Sequence, residues 1–125
     1  MNYSVKINHA NKLIHYQHRG QISRQEIGEV WDEFLTLEEF KINKYNIVSD
    51  YRNSTFIATH NDIEIICDIL SSLEYILKGK KQALILDSPM NTALSVLFEG
   101  EANKRVGFIV KIFSTEEAAL NWILG

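Results

Sequence analysis

The sequence predicts an α/β fold with a mixed, mostly parallel sheet of five strands and four helices, in the order ββαβαβαβα. Three observations support this prediction. Short apolar runs alternate with longer segments in which apolar residues recur at helical spacing, and helix-capping signals precede these longer segments. In addition, 125 residues with 46% hydrophobic side chains suffice for one core. No repeat or low-complexity tract divides them, so we expect a single domain over residues 1–125.

Two strands open the chain. Residues 3–8 alternate apolar and polar side chains, which is typical of a strand with one face in water. Residues 9–11 can turn the chain, and residues 13–19 form a second strand that Gly20 ends. We expect these two strands to form an antiparallel hairpin, with the first strand at one edge of the sheet.

The first helix is predicted over residues 24–37, because Ser23 and Glu26 have the spacing of a capping box. Residues 45–51 follow as the third strand. The apolar residues of this helix lie on one face, and they are Ile27, Val30, Trp31, Phe34 and Leu35.

The second helix is predicted over residues 61–78, with Asn61 as its N-cap, Glu64 at the third position and Gly79 as its C-cap. Residues 81–87 form the fourth strand. Its nearly continuous apolar run is typical of a strand that is covered on both faces of the sheet.

The third helix is predicted to begin at Ser88 and Pro89 and to end near Asn103. Residues 106–113 form the fifth strand, and residues 114–117 form a capping box that opens the last helix. Because strands that alternate with helices are joined by right-handed crossovers, we expect the sheet to be largely parallel.

The charge distribution argues against a nucleic-acid partner and leaves a basic partner possible. A net charge of −3 gives no general attraction to nucleic acid or anionic lipid, so we expect no nucleic-acid partner. Residues 23–40, however, carry one basic and six acidic residues, a net charge of −5. This acidic segment is either a solvated helix face or a docking surface for a basic partner.

Cys67, the single cysteine, cannot form a disulfide within the chain, which favours a reducing compartment. The N-terminal residues show no apolar run of signal-peptide length, and no window approaches the length of a membrane span. We therefore expect a cytoplasmic protein without a membrane span. The apolar neighbours of Cys67 on the second helix predict a buried, inert thiol rather than a nucleophile.

The closing segment, residues 113–124, has an aromatic residue, a hydroxyl cap, two acids and then Ala-x-x-Trp-Ile-Leu. This pattern, together with the element order, resembles the SpoIIAA-like or STAS family, which includes the anti-sigma-factor antagonists and many small stand-alone bacterial domains. The resemblance implies a SpoIIAA-like fold and a non-enzymatic binding or regulatory domain that acts through contacts with proteins. It also implies, as an alternative, a phospho-regulated switch of the antagonist type.

The phosphorylation motif of that family is not reproduced here. In the antagonists, a serine at the start of the helix after the third strand is phosphorylated, within an Asp-Ser-Ser-Gly-like stretch. In this sequence three other residues separate Asp50 from Ser54, and no glycine follows Thr55. A second acid–serine pair, Asp87 and Ser88, follows the next strand instead. The candidate phosphosites are thus Ser54, Thr55 and Ser88.

Polar residues follow two neighbouring strands of the predicted sheet. Ligands of parallel sheets gather at the carboxyl ends of the strands, and the candidate ligand or partner rim there is Asp50, Tyr51, Arg52, Asn53, Ser54, Asp87 and Ser88. Asn91 and Ser114 should lie at the same strand ends. If Asp50 and Asp87 met, one pKa would rise and acid–base chemistry would be possible. Alternatively, Asp50 pairs with Arg52, and Asp87 meets the dipole of the third helix.

No catalytic residue, cofactor or metal site is predicted. The chain has no Ser-His-Asp spacing and no glycine-rich phosphate loop, so we expect a protein that is not an enzyme. His15 and His18 lie three residues apart, which places them on opposite faces of a strand. No cysteine or carboxylate motif accompanies them as further metal ligands.

The second helix carries apolar residues on two faces. One stripe runs through Ile63, Ile66 and Leu70, and a second, on roughly the opposite side, through Ile65, Ile69 and Ile76. A neighbouring helix, a second copy of the chain, or an apolar ligand or membrane surface would cover the second stripe. We predict a homodimer interface at Ile65, Ile69 and Ile76, with carriage of a small apolar ligand or lipid as an alternative.

Overall fold

A computed structural model describes residues 2–125. None of the helices within this range has both the length and the apolar character needed to cross a membrane. In chain order, the elements are β1 (Tyr3–Asn8), β2 (Leu13–His18), β3 (Gly20–Ser23), α1 (Arg24–Thr36), α2 (Glu38–Lys41), β4 (Asn46–Asp50), β5 (Ser54–Ile57), α3 (His60–Ser71), α4 (Glu74–Leu77), β6 (Lys81–Ile85), α5 (Pro89–Val106), β7 (Ile109–Phe113) and α6 (Glu116–Leu124).

The main sheet has five strands in the order β1-β2-β4-β6-β7. β1 pairs antiparallel with β2 at one edge, and the other neighbours are parallel. The predicted class, the number of strands in this sheet and its antiparallel edge are confirmed. β7 begins later than predicted, because α5 continues to Val106 and ends at Gly107, whose φ of 71° gives the left-handed conformation of a C-cap.

A second, two-stranded sheet was not predicted. β3 and β5 pair in parallel, with Ile22 opposite Phe56. Each strand has only four residues, too few to show a clear alternation of apolar and polar side chains. Gly20 makes this sheet possible, because its φ of 81° turns the chain directly from β2 into β3.

The second predicted helix is two helices. Thr59, not Asn61, is the N-cap of α3, in a capping box with Asp62. The prediction of an unbroken helix over residues 61–78 is wrong, because α3 ends at Ser71 and α4 is a separate turn. The hydroxyls of Ser71 and Ser72 donate to backbone carbonyls within the helix, which competes with its continuation.

Two other helix details differ from the prediction. α2, a single turn after α1, has no counterpart in the predicted element order. The N-cap of α6 is Thr115, whose hydroxyl accepts a hydrogen bond from the Ala118 N–H. By contrast, the capping box of α1 is confirmed, since Glu26 accepts from the Ser23 N–H and Ser23 Oγ accepts from the Glu26 N–H.

The helices cover the two faces of the main sheet unequally. α1, α3 and α5 pack on one face, where the large core includes the fully buried rings of Tyr16, Phe34 and Phe108. On the other face α6 packs alone on β4, β6 and β7, with Ala119 and Ile123 buried against them. Leu13 at the start of β2 joins this smaller cluster, whereas Ser4 and Lys6 of β1 and Gln17 of β2 stay exposed on the same face, next to α6.

Candidate functional site

The predicted rim begins with an ion pair at the end of β4. The Arg52 side chain donates two hydrogen bonds to Asp50, from Nε to Oδ1 at 3.0 Å and from Nη2 to Oδ2 at 2.8 Å. The Arg52 N–H also donates to Asp50 Oδ1 at 3.0 Å. Partial burial alone would raise the pKa of Asp50, but these bonds and the positive charge outweigh it and hold the pKa below its ordinary value. Asp50 is thus an ionised structural group.

The turn after β4 is fixed by its own backbone. Asn53 adopts a φ of 68°, and its N–H donates to Asp87 Oδ2 at 3.2 Å. Its carbonyl accepts from the Gly20 N–H at 3.0 Å. Asp50 and Asp87 therefore have separate partners. A catalytic carboxylate pair requires one raised pKa, whereas the pKa of Asp50 is lowered.

Asn91, which the sequence places at the same strand ends, holds the second half of this segment. It is 1% exposed, its Oδ1 accepts from the Phe56 N–H at 3.1 Å, and its Nδ2 donates to the Ser54 carbonyl at 2.9 Å. Its own N–H donates to Ser88 Oγ at 3.1 Å. Asn91 therefore joins α5 to β5.

Two members of the predicted rim are not at the surface. Tyr51 is buried against Tyr16 and Phe56, with ring centroids 5.5 and 4.8 Å away, and burial raises its pKa. Ser54 is 6% exposed, and its hydroxyl donates to the Tyr51 carbonyl at 2.5 Å. The Ser54 hydroxyl is thus not accessible to a kinase. Of the other two candidate phosphosites, Thr55 is exposed and Ser88 is half-buried as the N-cap of α5.

The uncovered half of the sheet forms an open polar groove beside α6. Asp50 and Arg52 lie at one end of it, with Lys6, His15 and Glu116 also along its walls. The charges are of both signs, and no three histidine, cysteine, aspartate or glutamate side chains within residues 2–125 are placed to hold a metal ion. The walls of this groove therefore carry both positive and negative side chains.

The second histidine of β2 and the single cysteine are both buried. His18 is fully buried on the opposite side of β2 from His15, with Nδ1 2.8 Å from Tyr16 Oη and Nε2 3.2 Å from the Gln21 carbonyl. Cys67 is fully buried as well, and burial raises the pKa of its thiol to about 11. A neutral thiol at physiological pH is a poor nucleophile.

A second groove runs between α1 and α3 and has a different character. It encloses about 390 Å³. We call it the α1–α3 groove. Its apolar lining includes Trp31, Leu35, Ile66, Ile69 and Leu73, and its charged lining is Arg24, Glu29 and Asp32.

The three predicted interface residues fall into different environments. Ile69 is 56% exposed and lines the α1–α3 groove. Ile65 is half-buried. Ile76 is 8% exposed and belongs to the core, because the break after α3 turns α4 inward. Ile76 is therefore not available to an interface, and only Ile65 and Ile69 remain candidates.

A small cavity lies inside the core, between the sheet and helices α1, α3 and α5. It measures about 40 Å³, and its lining includes Trp31, Tyr51, Phe98 and Gln82. Gln82 is 3% exposed and donates from Nε2 to Ser49 Oγ at 2.9 Å. Its Oε1 is buried and accepts no hydrogen bond from residues 2–125.

Comparisons with known proteins identify the fold. No protein-family model matches the sequence, and no curated protein matches it significantly. Among solved structures, the chain is similar to an uncharacterised protein of the DUF3478 family from Shewanella loihica PV-4 with a SpoIIAA-like fold. The two are 13% identical with a TM-score of 0.63, over 98% of this chain and 94% of that chain.

A second solved structure has the same architecture. It is the anti-sigma factor antagonist SpoIIAA in its unphosphorylated form, 13% identical with a TM-score of 0.61, over 98% of both chains. The chain has a SpoIIAA-like fold, as the element order and the closing helix predicted.

Proposed function

We propose that this chain is a non-enzymatic regulatory domain that binds a segment of a partner protein in the α1–α3 groove. The observation that carries the proposal is the apolar lining of this groove, in which Ile69 is 56% exposed. Burying one isoleucine side chain is worth about 2 kcal/mol, so a partner that covers Ile69 gains binding free energy. A groove between two helices also suits an amphipathic segment.

Gly28 supports this proposal independently. It lies inside α1 and lines the groove, although glycine destabilises a helix interior by roughly 0.5–1 kcal/mol relative to alanine. A Cβ built at Gly28 would meet no atom within 4 Å. Packing inside the chain therefore gives no reason for the missing side chain, whereas an occupant of the groove benefits from the extra space.

The charges at the groove favour a basic occupant. Arg24 is paired with Asp62 at 3.2 Å. Within residues 2–125, neither Glu29 nor Asp32 takes part in an ion pair with a basic side chain. A second copy seated symmetrically here would place these acids near their own counterparts, which opposes the homodimer predicted on this face. A partner segment with apolar and basic residues satisfies both features.

Isothermal titration calorimetry tests the proposal with two matched probes. One is an amphipathic helical peptide of leucine and lysine, and the other replaces every lysine with glutamate. We expect the lysine peptide to bind about tenfold or more tightly than the glutamate peptide, because only the first complements Glu29 and Asp32. Equal affinities, or no binding of either peptide, would contradict the proposal.

The variant Ile69→Glu separates groove binding from general charge attraction. A contact made by charge alone would strengthen when a further carboxylate is added. Loss of the apolar contact should instead weaken binding of the lysine peptide by about tenfold. Ile42→Glu, which replaces an isoleucine that is 64% exposed outside this groove, is the matched control and should leave the affinity close to that of the wild type.

A second candidate function is binding of a small ligand in the core cavity, and Gln82 favours it. The unsatisfied Oε1 would accept a hydrogen bond from a ligand with a donor group. A cavity of about 40 Å³ does not favour carriage of a lipid. Methanol, which has one hydroxyl donor and is small enough for a cavity of this volume, should raise the melting temperature of the wild type relative to that of Gln82→Leu. Equal shifts would remove this candidate.

A further inference from the structure

Helix α5 carries a second apolar face that no part of residues 2–125 covers. Met90 is 65% exposed, Val96 54% and Leu97 39%, and Ala93 between them is exposed as well. The opposite face holds the buried residues of the helix, which are Asn91, Ser95, Phe98, Ala102 and Val106. Large exposed apolar patches on soluble domains mark interaction surfaces.

The exposed residues of α5 recur at the spacing found where two helices pack together. Met90, Ala93, Leu97, Gly100 and Lys104 follow one another at spacings of three and four residues. This is the a/d repeat of packed helices, in which one seam faces a partner helix. The seam is apolar from Met90 to Gly100, and its first charged residue is Lys104. We call these five residues the α5 seam.

Gly100 is the second observation. It lies inside α5 at the seam, and a Cβ built there would meet no atom within 4 Å. Glycine is among the poorest formers of a helix interior, and the packing within the chain does not require it here. A residue without a side chain at a seam position lets a second helix approach closely.

We propose that α5 pairs with α5 of a second copy of this chain, antiparallel and around a two-fold axis that crosses the seam midway between Ala93 and Leu97. In that register Met90 lies opposite Gly100, and Leu97 lies opposite Ala93. Each large side chain meets a small one, and both pairs occur twice because a two-fold interface repeats every contact. The alternation of large and small residues along the seam is thus self-complementary.

The charges at the ends of α5 fit the same register. Asp87, just before the helix, is exposed, and Lys104, near its C-terminal end, is exposed too. Antiparallel pairing brings Lys104 of each copy close to Asp87 of the other, so opposite charges meet at both ends of the seam. The two helix dipoles also run in opposite directions in this arrangement.

A lipid surface fits this face less well than a second copy does. Anionic membranes attract clusters of lysine and arginine beside an apolar helix face. Here Arg105 is instead engaged by Glu64 and Asp68 of α3, and the whole chain carries a net charge of −3. The α5 seam is also separate from the α1–α3 groove, so self-association and partner binding can be tested independently.

Analytical ultracentrifugation over a range of micromolar concentrations tests the pairing. We expect the wild type to sediment as a dimer. Leu97→Glu should raise the dissociation constant of this dimer about tenfold or more, because each copy would bury a carboxylate at the seam. Ile42→Glu is the matched control and should sediment like the wild type. Ile69→Glu should also leave the dimer intact, which separates this interface from the one predicted on α3.

Three outcomes would overturn the pairing. The first is a wild type that stays a single chain at all these concentrations. The second is a dimer that Ile69→Glu disrupts and Leu97→Glu does not. The third is a single chain that binds vesicles of phosphatidylserine and phosphatidylcholine through α5, as shown by loss of binding in Leu97→Glu. That last result would assign the seam to a lipid surface.

Disulfide trapping tests the register itself. A mixture of Ala93→Cys chains and Leu97→Cys chains should oxidise to a disulfide between positions 93 and 97, identified by peptide mass spectrometry. Ala93→Cys alone should form much less cross-linked dimer, because position 93 lies about one helical turn from its own counterpart in this register. Cys67 is buried and common to all samples. Equal yields in the mixture and in the single variants would contradict the register.

Discussion

The strand-end segment, residues 50–56, and the α1–α3 groove differ in how well the chain satisfies its own chemistry. In the segment, the polar groups find partners within the chain, as Arg52 does with Asp50 and as Phe56 and Ser54 do with Asn91. In the groove, Ile69 stays 56% exposed and the acid Asp32 has no ion pair within residues 2–125. The polar groups of the segment are satisfied by contacts within the chain, whereas the exposed apolar side chain and the acids of the groove are not.

The comparison shows where a binding function is to be sought in this fold. A dense set of polar residues in the sequence marked the segment as a site, yet those residues hold the turn between β4 and β5 in place. The groove has fewer conspicuous residues, but its apolar lining gains by being covered. Changes in the segment should therefore alter stability, and changes in the groove should alter binding.

The largest effect on stability is expected for Asn91→Ala. It leaves the Phe56 N–H and the Ser54 carbonyl without partners in a buried region, and each unsatisfied group costs about 1–3 kcal/mol. We expect the free energy of unfolding to fall by about 2–4 kcal/mol in urea denaturation. Asn103→Ala, an exposed site on the same helix, should change it by less than about 0.5 kcal/mol. Equal losses in both variants would break the comparison.

Arg52→Ala should lower the free energy of unfolding by about 1 kcal/mol at neutral pH, because the ion pair with Asp50 is only partly buried. The pKa of Asp50 is lowered in the folded state, so the stability from this pair is fully present above the ordinary value near 3.8. It is lost as the pH falls through the folded pKa. The difference between wild type and variant should shrink in acid, which denaturation at several pH values measures. A constant difference would contradict this account.

Gly28→Ala should have the opposite sign. Because the Cβ meets no atom and alanine favours the helix, we expect the free energy of unfolding to rise by roughly 0.5–1 kcal/mol. Thermal denaturation measures this gain. The same variant should weaken binding of the leucine and lysine peptide, since the methyl group fills part of the groove. Tighter peptide binding in this variant would argue against a role for Gly28 in the groove.

The smallest effect on stability is expected for Ile69→Glu. The side chain is exposed, so the free energy of unfolding should change by less than about 0.5 kcal/mol, while peptide binding is weakened. Denaturation and calorimetry on one protein sample check both statements. A loss of stability as large as that of Asn91→Ala would show that Ile69 is a packing residue, and the contrast between the two regions would disappear.

The sequence predicted the main sheet well because its signals are local and strong. The alternation in β1, the apolar run of β6 and the capping box of Ser23 and Glu26 each depend on a few neighbouring residues. The pairing of β3 with β5 joins residues more than thirty positions apart, such as Ile22 and Phe56, and neither strand is long enough to show a period. The break after α3 likewise has no proline or glycine to announce it.

The candidate site was predicted less well for a physical reason. Asp50 and Arg52 are close in sequence, and their pairing was one of the alternatives considered. Asp87 accepts from the Asn53 N–H of a distant turn, and Ser54 donates to the Tyr51 carbonyl inside the turn after β4. No sequence pattern marks either contact, so the carboxylate and the hydroxyl looked available. Ile76 was assigned to an exposed stripe on the assumption of an unbroken helix, and the break places it in the core.

The most direct test of the account is a nuclear magnetic resonance titration of the labelled protein with the leucine and lysine peptide. The account predicts saturable amide shifts in α1 and α3, centred on Gly28 and Ile69, and unchanged signals for Arg52 and Asn53. In Ile69→Glu the shifts should be much smaller at the same peptide concentration. Shifts centred on residues 50–56, with those of α1 and α3 unmoved, would contradict the central claim.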